Sequence, residues 1–270
     1  MTDHPAPRYT HGHHDSVLQS HRWRTAANSC AYLLPHLAPG LRLLDVGCGP
    51  GTITADLARL VAPGAVVAID AAAGILGEAR ATAAARGVDN VAFDQADVLA
   101  LPYPDGHFDV VHAHQVLQHL PDPVAALQEM RRVCRPGGVV AAREGDYGGF
   151  VWTPPDPVLD RWRDLYLSVA RANGGEPLAG RFLLPWARQA GYGEIAGSAS
   201  TWVYATPDER RWWGGSWADR ATRSTFAETA LAHGLATDDE LATIADGWRR
   251  WAAADTGWLI IPNAEILCRP

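Results

Sequence analysis

The chain has 270 residues and a formal net charge of −7, with 47% hydrophobic and 20% charged residues, the balance of an ordinary globular protein. All 23 basic residues are arginine, which removes lysine Schiff bases, lysine nucleophiles and the phosphate-binding lysine of a P-loop. An acidic chain with no basic tract is unsuited to nucleic acid or an anionic membrane, and no apolar run of ~18 residues exists to span a bilayer. The polar, His-rich start has no signal-peptide core, so a cytoplasmic protein is expected. Cys30, Cys48, Cys134 and Cys268 show no Cys-x-x-Cys spacing and read as free thiols.

In chain order, residues 1–14 read as a flexible segment, and the apolar spacing from Asp15 to Leu37 predicts one amphipathic helix ended by Pro39-Gly40. Five short apolar runs follow as strands: Leu41–Val46, Ala65–Asp70, Val91–Ala96, Phe108–Ala113 and Gly138–Arg143. Helical patterns separate them near Thr52–Val61, Ala72–Arg86 and Pro123–Cys134, the last opened by Asp122 as N-cap and Pro123 in the first turn. Strand-helix alternation with unbroken apolar strands means a parallel sheet covered on both faces. Beyond Asp146 the composition changes, and ten of the eleven tryptophans lie there. Helices are expected near Pro157–Asn173 and Gly180–Ala190, then a strand near Tyr192–Ala205. Capping boxes at Thr206–Glu209 and Thr237–Glu240 start helices near 207–219 and 238–254, with another near 224–233. A last strand, Trp258–Cys268, would leave those helices as an insertion over one end of the sheet.

The most informative stretch is Leu43-Leu44-Asp45-Val46-Gly47-Cys48-Gly49-Pro50-Gly51-Thr52, an apolar strand entering a glycine turn before a helix. Such a turn at the end of the first strand is where doubly wound folds bind nucleotides, and Asp70, ending the second strand, suits a ribose. Two details argue against a dinucleotide. Position 52 is Thr where that fingerprint needs glycine, and Asp45 would repel a pyrophosphate but suits a ligand with an ammonium group, such as the amino-acid end of S-adenosylmethionine.

With these residues the chain resembles the class I S-adenosylmethionine-dependent methyltransferases, close to the ubiquinone/menaquinone-biosynthesis type and its small-molecule relatives. The resemblance covers roughly 41–145 and rests on LLDVGCGPGTIT, VVAID, QADVLALPYPDGHFDVV, VLQHLPDP and RRVCRPGGVV. It implies a doubly wound, seven-stranded, mostly parallel α/β sheet with a helical cap inserted between the last two strands. It implies that Asp45, Gly47, Cys48, Gly49 and Gly51 line the cofactor, that Asp70 with Ala71 holds the ribose, and that Ala96, Asp97 and Val98 hold the adenine. His114 and Gln115 should face the methionine end. The Asp/Asn-Pro-Pro-aromatic motif of enzymes acting on base amines is absent; His114-Gln115-Val116-Leu117 stands there, which argues for a small-molecule substrate. The layout is then 1–37 as N-terminal lid segment and helix, 38–150 as the cofactor-binding core, and 151–270 as substrate-side helices, last two strands and Trp-rich cap.

The expected reaction is methyl transfer to an O, N or C nucleophile of an apolar or aromatic small molecule, with no metal and with a homo-oligomer left open. A base is needed only if the nucleophile carries a proton. Candidates are His119, His114, Glu144 and Asp146, with a helix-start histidine and a solvated acidic loop as the structural alternatives. His112 reads as a satisfied buried histidine, and Arg143 and Arg181 each as a carboxylate clamp or a surface charge, the surface reading being preferred for Arg143. Trp152, Trp213, Trp217 and Trp248 either build the cap's core or wall the pocket. Two competing functions stand: a non-catalytic S-adenosylmethionine-binding partner protein and an NAD-dependent oxidoreductase.

Overall fold

A computed structural model describes residues 22–270. Thr25 caps a single helical turn, α1 (Ala26–Ser29), and a 3-10 turn follows at Leu34–His36 with Pro35 in it. The long helix expected over 15–37 is therefore broken in its described part, because the extended backbone of Thr25 and the ring of Pro35 interrupt it. The expected lid, Tyr9 to His14, and the histidines His11, His13, His14 and His21 lie outside the described residues.

Five parallel strands form the core: β1 (Leu43–Val46), β2 (Val66–Asp70), β3 (Val91–Gln95), β4 (Phe108–His114) and β5 (Cys134–Gly145). Their crossovers are α2 (Thr52–Val61), α3 (Ala73–Ala85) and α4 (Pro123–Val133). The start of α4 is fixed as its sequence demands, with the Asp122 carboxylate accepting from Ala125 N at 2.8 Å and Pro123 in the first turn. Then come β6 (Val151–Thr153), α5 (Pro157–Ala172), α6 (Ala179–Gln189) and β7 (Glu194–Tyr204). The cap, α7 (Pro207–Arg223), α8 (Thr225–Ala232) and α9 (Asp238–Ala253), is inserted before β8 (Trp258–Arg269).

The sheet order is β3-β2-β1-β4-β5-β8, with β7 and β6 both antiparallel to β8. It has eight strands rather than the seven expected. The extra strand, β6, pairs Val151 with Ile260 just beyond the point where β5 stops at Gly145 opposite Asn263. Three residues are too few to show a period of two, so only its partner makes it a strand.

Alternation along the strands divides the core. Leu43, Val66 and Val110 meet Leu57, Val61 and the α1 region on one face. Leu44, Val111 and Ala113 meet Leu127, Met130 and Leu183 on the other. A third core lies under the cap, where Trp162 meets Trp217 and Trp248 edge-on at ring separations of 4.6 and 4.7 Å. Arg143 is not at the surface: fully buried, it sits 3.3 Å from Glu265, donates to Ser200 Oγ at 3.1 Å and lies 4.5 Å from the centre of the Trp202 ring.

Candidate active site

The carboxyl ends of β1, β2 and β4 open into a cavity of about 280 Å³. Its floor is the glycine turn, where Gly47 and Gly49 adopt φ of +67° and +52°. Gly47 is required by the protein itself, since a Cβ there would come within 2.4 Å of Val116 Cγ2. At Gly49 a Cβ would meet no protein atom within 4 Å, so the bare backbone leaves room for a ligand to approach. Gly51 seats α2 against α3, with a Cβ position 3.0 Å from Ala79 Cα.

Asp70 braces the turn, its Oδ2 accepting from Gly49 N and its Oδ1 from Ala72 N, both at 3.0 Å. Asp97 accepts from Leu99 N at 2.9 Å and borders the cavity with Ala96 and Val98; Cys48 and Ala71 border it too. Asp45 lies deeper and is only 3% exposed. Its Oδ1 accepts from His112 Nδ1 at 2.8 Å and its Oδ2 from the Thr54 hydroxyl at 2.5 Å. His112 Nε2 in turn lies 3.1 Å from Cys30 Sγ. Burial alone would push this imidazole down, but its contacts with Cys30 and Asp45 outweigh it and hold it up to about 10. Asp45 is thus already partnered by the protein and offers a shared rather than a free carboxylate to an ammonium group.

Of the expected catalytic residues, His114 and His119 border the cavity and Glu144 and Asp146 do not. Glu144 is fully buried and accepts from the amides of Val116, Leu117 and Gln118 at 2.9, 2.8 and 3.4 Å. Burial pushes its carboxyl up to about 8 against the pull of those amides. It anchors the loop leaving β4. Asp146 is held by Arg181 through contacts of 2.6 and 2.8 Å, and it caps the turn at Gly149; the pair lies away from the cavity. Burial, aided by the Arg24 guanidinium, pushes the His119 imidazole down to about 3, so it is neutral and weakly basic.

Gln115 is the single non-glycine residue with positive φ among the described residues, at +53°. This conformation turns its side chain between two spaces. Its Oε1 accepts from Arg24 at 2.6 Å and its Nε2 donates to Asn263 at 3.2 Å. Behind it lies a second, narrow cavity of about 20 Å³, walled by Tyr147, Phe150, Trp202, Tyr204, Trp213 and Arg220. Arg24 and Gln115 border both cavities. Of the four tryptophans weighed for this wall, only Trp213 is in it; Trp217 and Trp248 are core, and Trp152 is partly buried against that core. Trp202, Tyr204, Arg24 and Arg220 gave no local signal, because they meet only when β7 and the cap close over the end of β4.

The donor set fits S-adenosylmethionine: carboxylates at two edges, an open glycine backbone between them, and Thr52 where a dinucleotide would need a third glycine. A family model described as a methyltransferase domain matches residues 37–156. An uncharacterized methyltransferase of Schizosaccharomyces pombe, C1B3.06c, is 35% identical over 270 residues, covering 96% of this chain and 95% of that protein. The probable methyltransferase ltbC of Aspergillus luteorubrus is 30% identical over 280 residues, covering 96% of each. Among solved structures, phosphoethanolamine N-methyltransferase 2 of Haemonchus contortus, bound to S-adenosylhomocysteine, shares the fold at a TM-score of 0.54 and 19% identity, covering 89% of this chain and 52% of that one. The chain belongs to the S-adenosylmethionine-dependent methyltransferases.

Proposed function

We propose that this methyltransferase acts on an O, N or C nucleophile of an apolar or aromatic small molecule, admitted between Gln115 and the aromatic wall of the cap. The observation that carries this reading is the shared partition: Arg24 and Gln115 border both the cofactor cavity and the aromatic recess. A molecule reaching past Gln115 from the recess would enter the cofactor cavity directly. S-adenosylmethionine, when bound, supplies an electrophilic methyl group on a sulfonium. Asp70 and Asp97 would hold its ribose and adenine, and the glycine turn would let it lie against backbone.

The chain's own contribution is then chiefly alignment, which is worth effective molarities of ~10⁵–10⁸ M in well-oriented systems. Glu144 holds three successive amides of the loop, which fixes Gln118 and His119 at the cavity. The neutral His119 can accept a hydrogen bond from the nucleophile and orient it. At about 3 it is too weak to draw off a proton efficiently near neutral pH. No helix among the described residues is long and apolar enough to cross a membrane.

The test is S-adenosylhomocysteine formation across a panel of apolar and aromatic acceptors, followed by Trp213→Ala with the best of them. Trp213 borders the recess and not the cofactor cavity, so its loss should raise the acceptor KM about tenfold while S-adenosylhomocysteine affinity stays within twofold. An unchanged acceptor KM, or no turnover with any member of the panel, would count against the reading.

A further inference from the structure

Three titratable side chains from distant parts of the sequence meet beside the cofactor cavity. The register of β1 against β4 pairs Asp45 with His112, so the two stand side by side on one face of the sheet. Cys30, just after α1, and Thr54, in the first turn of α2, complete the group. The Thr54 hydroxyl donates to Asp45 Oδ2 at 2.5 Å and His112 Nδ1 donates to Oδ1 at 2.8 Å, while His112 Nε2 lies 3.1 Å from Cys30 Sγ. Cys30, Thr54 and His112 are fully buried, and Cys30 belongs to the apolar core that Leu33, Leu43, Leu57 and Val110 build. Polar groups placed so deep are costly unless they serve one another or a ligand.

Asp45 and His112 border the cavity, and Cys30 stands behind them. Each carboxylate oxygen can take about two donors, and the bonds from Thr54 and His112 give Asp45 one on each. Which imidazole nitrogen carries the proton is set by what the other nitrogen meets. The contact with Cys30 at Nε2 therefore decides that Nδ1 faces Asp45 as a donor. A single proton bridges Nε2 and Sγ. On whichever of the two atoms it rests, the three groups together carry one negative charge, and Asp45 presents it at the cavity. Cys30 is itself held in place, because α1 is pinned by Ala26 N on Asp56 Oδ2 at 3.0 Å and by Trp202 Nε1 on Asn28 O at 2.8 Å.

We propose that His112 and Cys30 are positioning residues for the cofactor: as a pair they hold the Asp45 carboxylate toward the cavity, where it receives the ammonium group of S-adenosylmethionine. Neither residue touches the cofactor's adenosine in this arrangement; both act through Asp45. The inference rests on Asp45 as the ammonium's partner and is independent of the methyl acceptor. It gives the segment before β1 a part in cofactor selection, since Cys30 reaches His112 only while α1 is docked on α2 and β7.

Two ligands test it by calorimetric titration into the full chain: S-adenosylhomocysteine and 5′-methylthioadenosine, which share the adenosine and the sulfur but differ in the amino-acid end. The wild type should bind S-adenosylhomocysteine at least about tenfold more tightly, as a hydrogen bond to a charged group allows. His112→Asn should weaken S-adenosylhomocysteine roughly 10- to 100-fold and leave 5′-methylthioadenosine within about twofold. Cys30→Ala should weaken S-adenosylhomocysteine about three- to tenfold, and Cys30→Ser, which keeps a hydrogen-bonding group at Nε2, should return it to within about twofold of wild type. Should His112→Asn fail to fold, the two Cys30 variants still decide. Equal losses for both ligands, wild-type S-adenosylhomocysteine affinity in Cys30→Ala, or no preference between the ligands in the wild type overturns the inference. Asp45→Asn separates the two failures: a preference that collapses there but survives in the Cys30 and His112 variants sinks the positioning inference alone, whereas a preference that survives Asp45→Asn sinks the ammonium reading beneath it.

Discussion

Replacing Gly49 with alanine separates the cofactor's demands from the fold's. The residue has φ of +52°, and a Cβ there would have no protein neighbour within 4 Å. The folded state then bears only the cost of an L side chain in left-handed backbone, ~1–2 kcal/mol. For a protein of this size that is a fall of roughly 2–8 °C in Tm. Binding bears a different cost, because the methyl group stands at the wall where the ligand must approach the backbone. Overfilling a fitted space costs roughly 1–3 kcal/mol, which is a loss of about 5- to 150-fold in affinity. Gly47→Ala is the contrast: its Cβ would lie 2.4 Å from Val116 Cγ2, so the loop after β4 must shift and stability should fall further than in Gly49→Ala. Calorimetric titration with S-adenosylhomocysteine and thermal melts of both variants read the two effects separately. Wild-type affinity in Gly49→Ala would refute the reasoning, since the open side of the turn would then not be the cofactor's side.

Two further outcomes follow from the buried titratable groups. His112→Asn removes the imidazole shared by Asp45 and Cys30, and breaking a buried pair of this kind should cost roughly 3–5 kcal/mol in urea unfolding near pH 6. Because the folded imidazole is held up to about 10 from an ordinary 6.5, its stabilisation is complete below pH 6.5 and is lost as the pH rises through 10. The wild-type advantage over His112→Asn should shrink across that window, and an advantage that grew with pH would contradict the assignment. His119→Ala should lower turnover about tenfold, less than the 10²–10⁴ expected on losing a general base, and the pH-rate profile should show no His119 limb near pH 6–7. A drop beyond a hundredfold, together with loss of such a limb, would restore His119 as the base.

What the sequence determined by itself is what short-range chemistry can encode. The glycines of 47–51, the Asp122-Pro123 helix start, the capping boxes at 206 and 237 and the alternation of strand and helix each act over a few residues. They were sufficient for the doubly wound core and the cap's place between β7 and β8. Only the tertiary structure decided which charges are spent inside the fold. Glu144 looked like a loop carboxylate until β5 placed it under the amides of 116–118, and Arg143 looked exposed until β8 and β7 brought Glu265 and Ser200 against it. The acceptor side was hidden for the same reason: Arg24, Gln115, Trp202 and Arg220 span most of the chain and carry no common period. Their chemistry exists only where the N-terminal segment, the end of β4, β7 and the cap converge on one space.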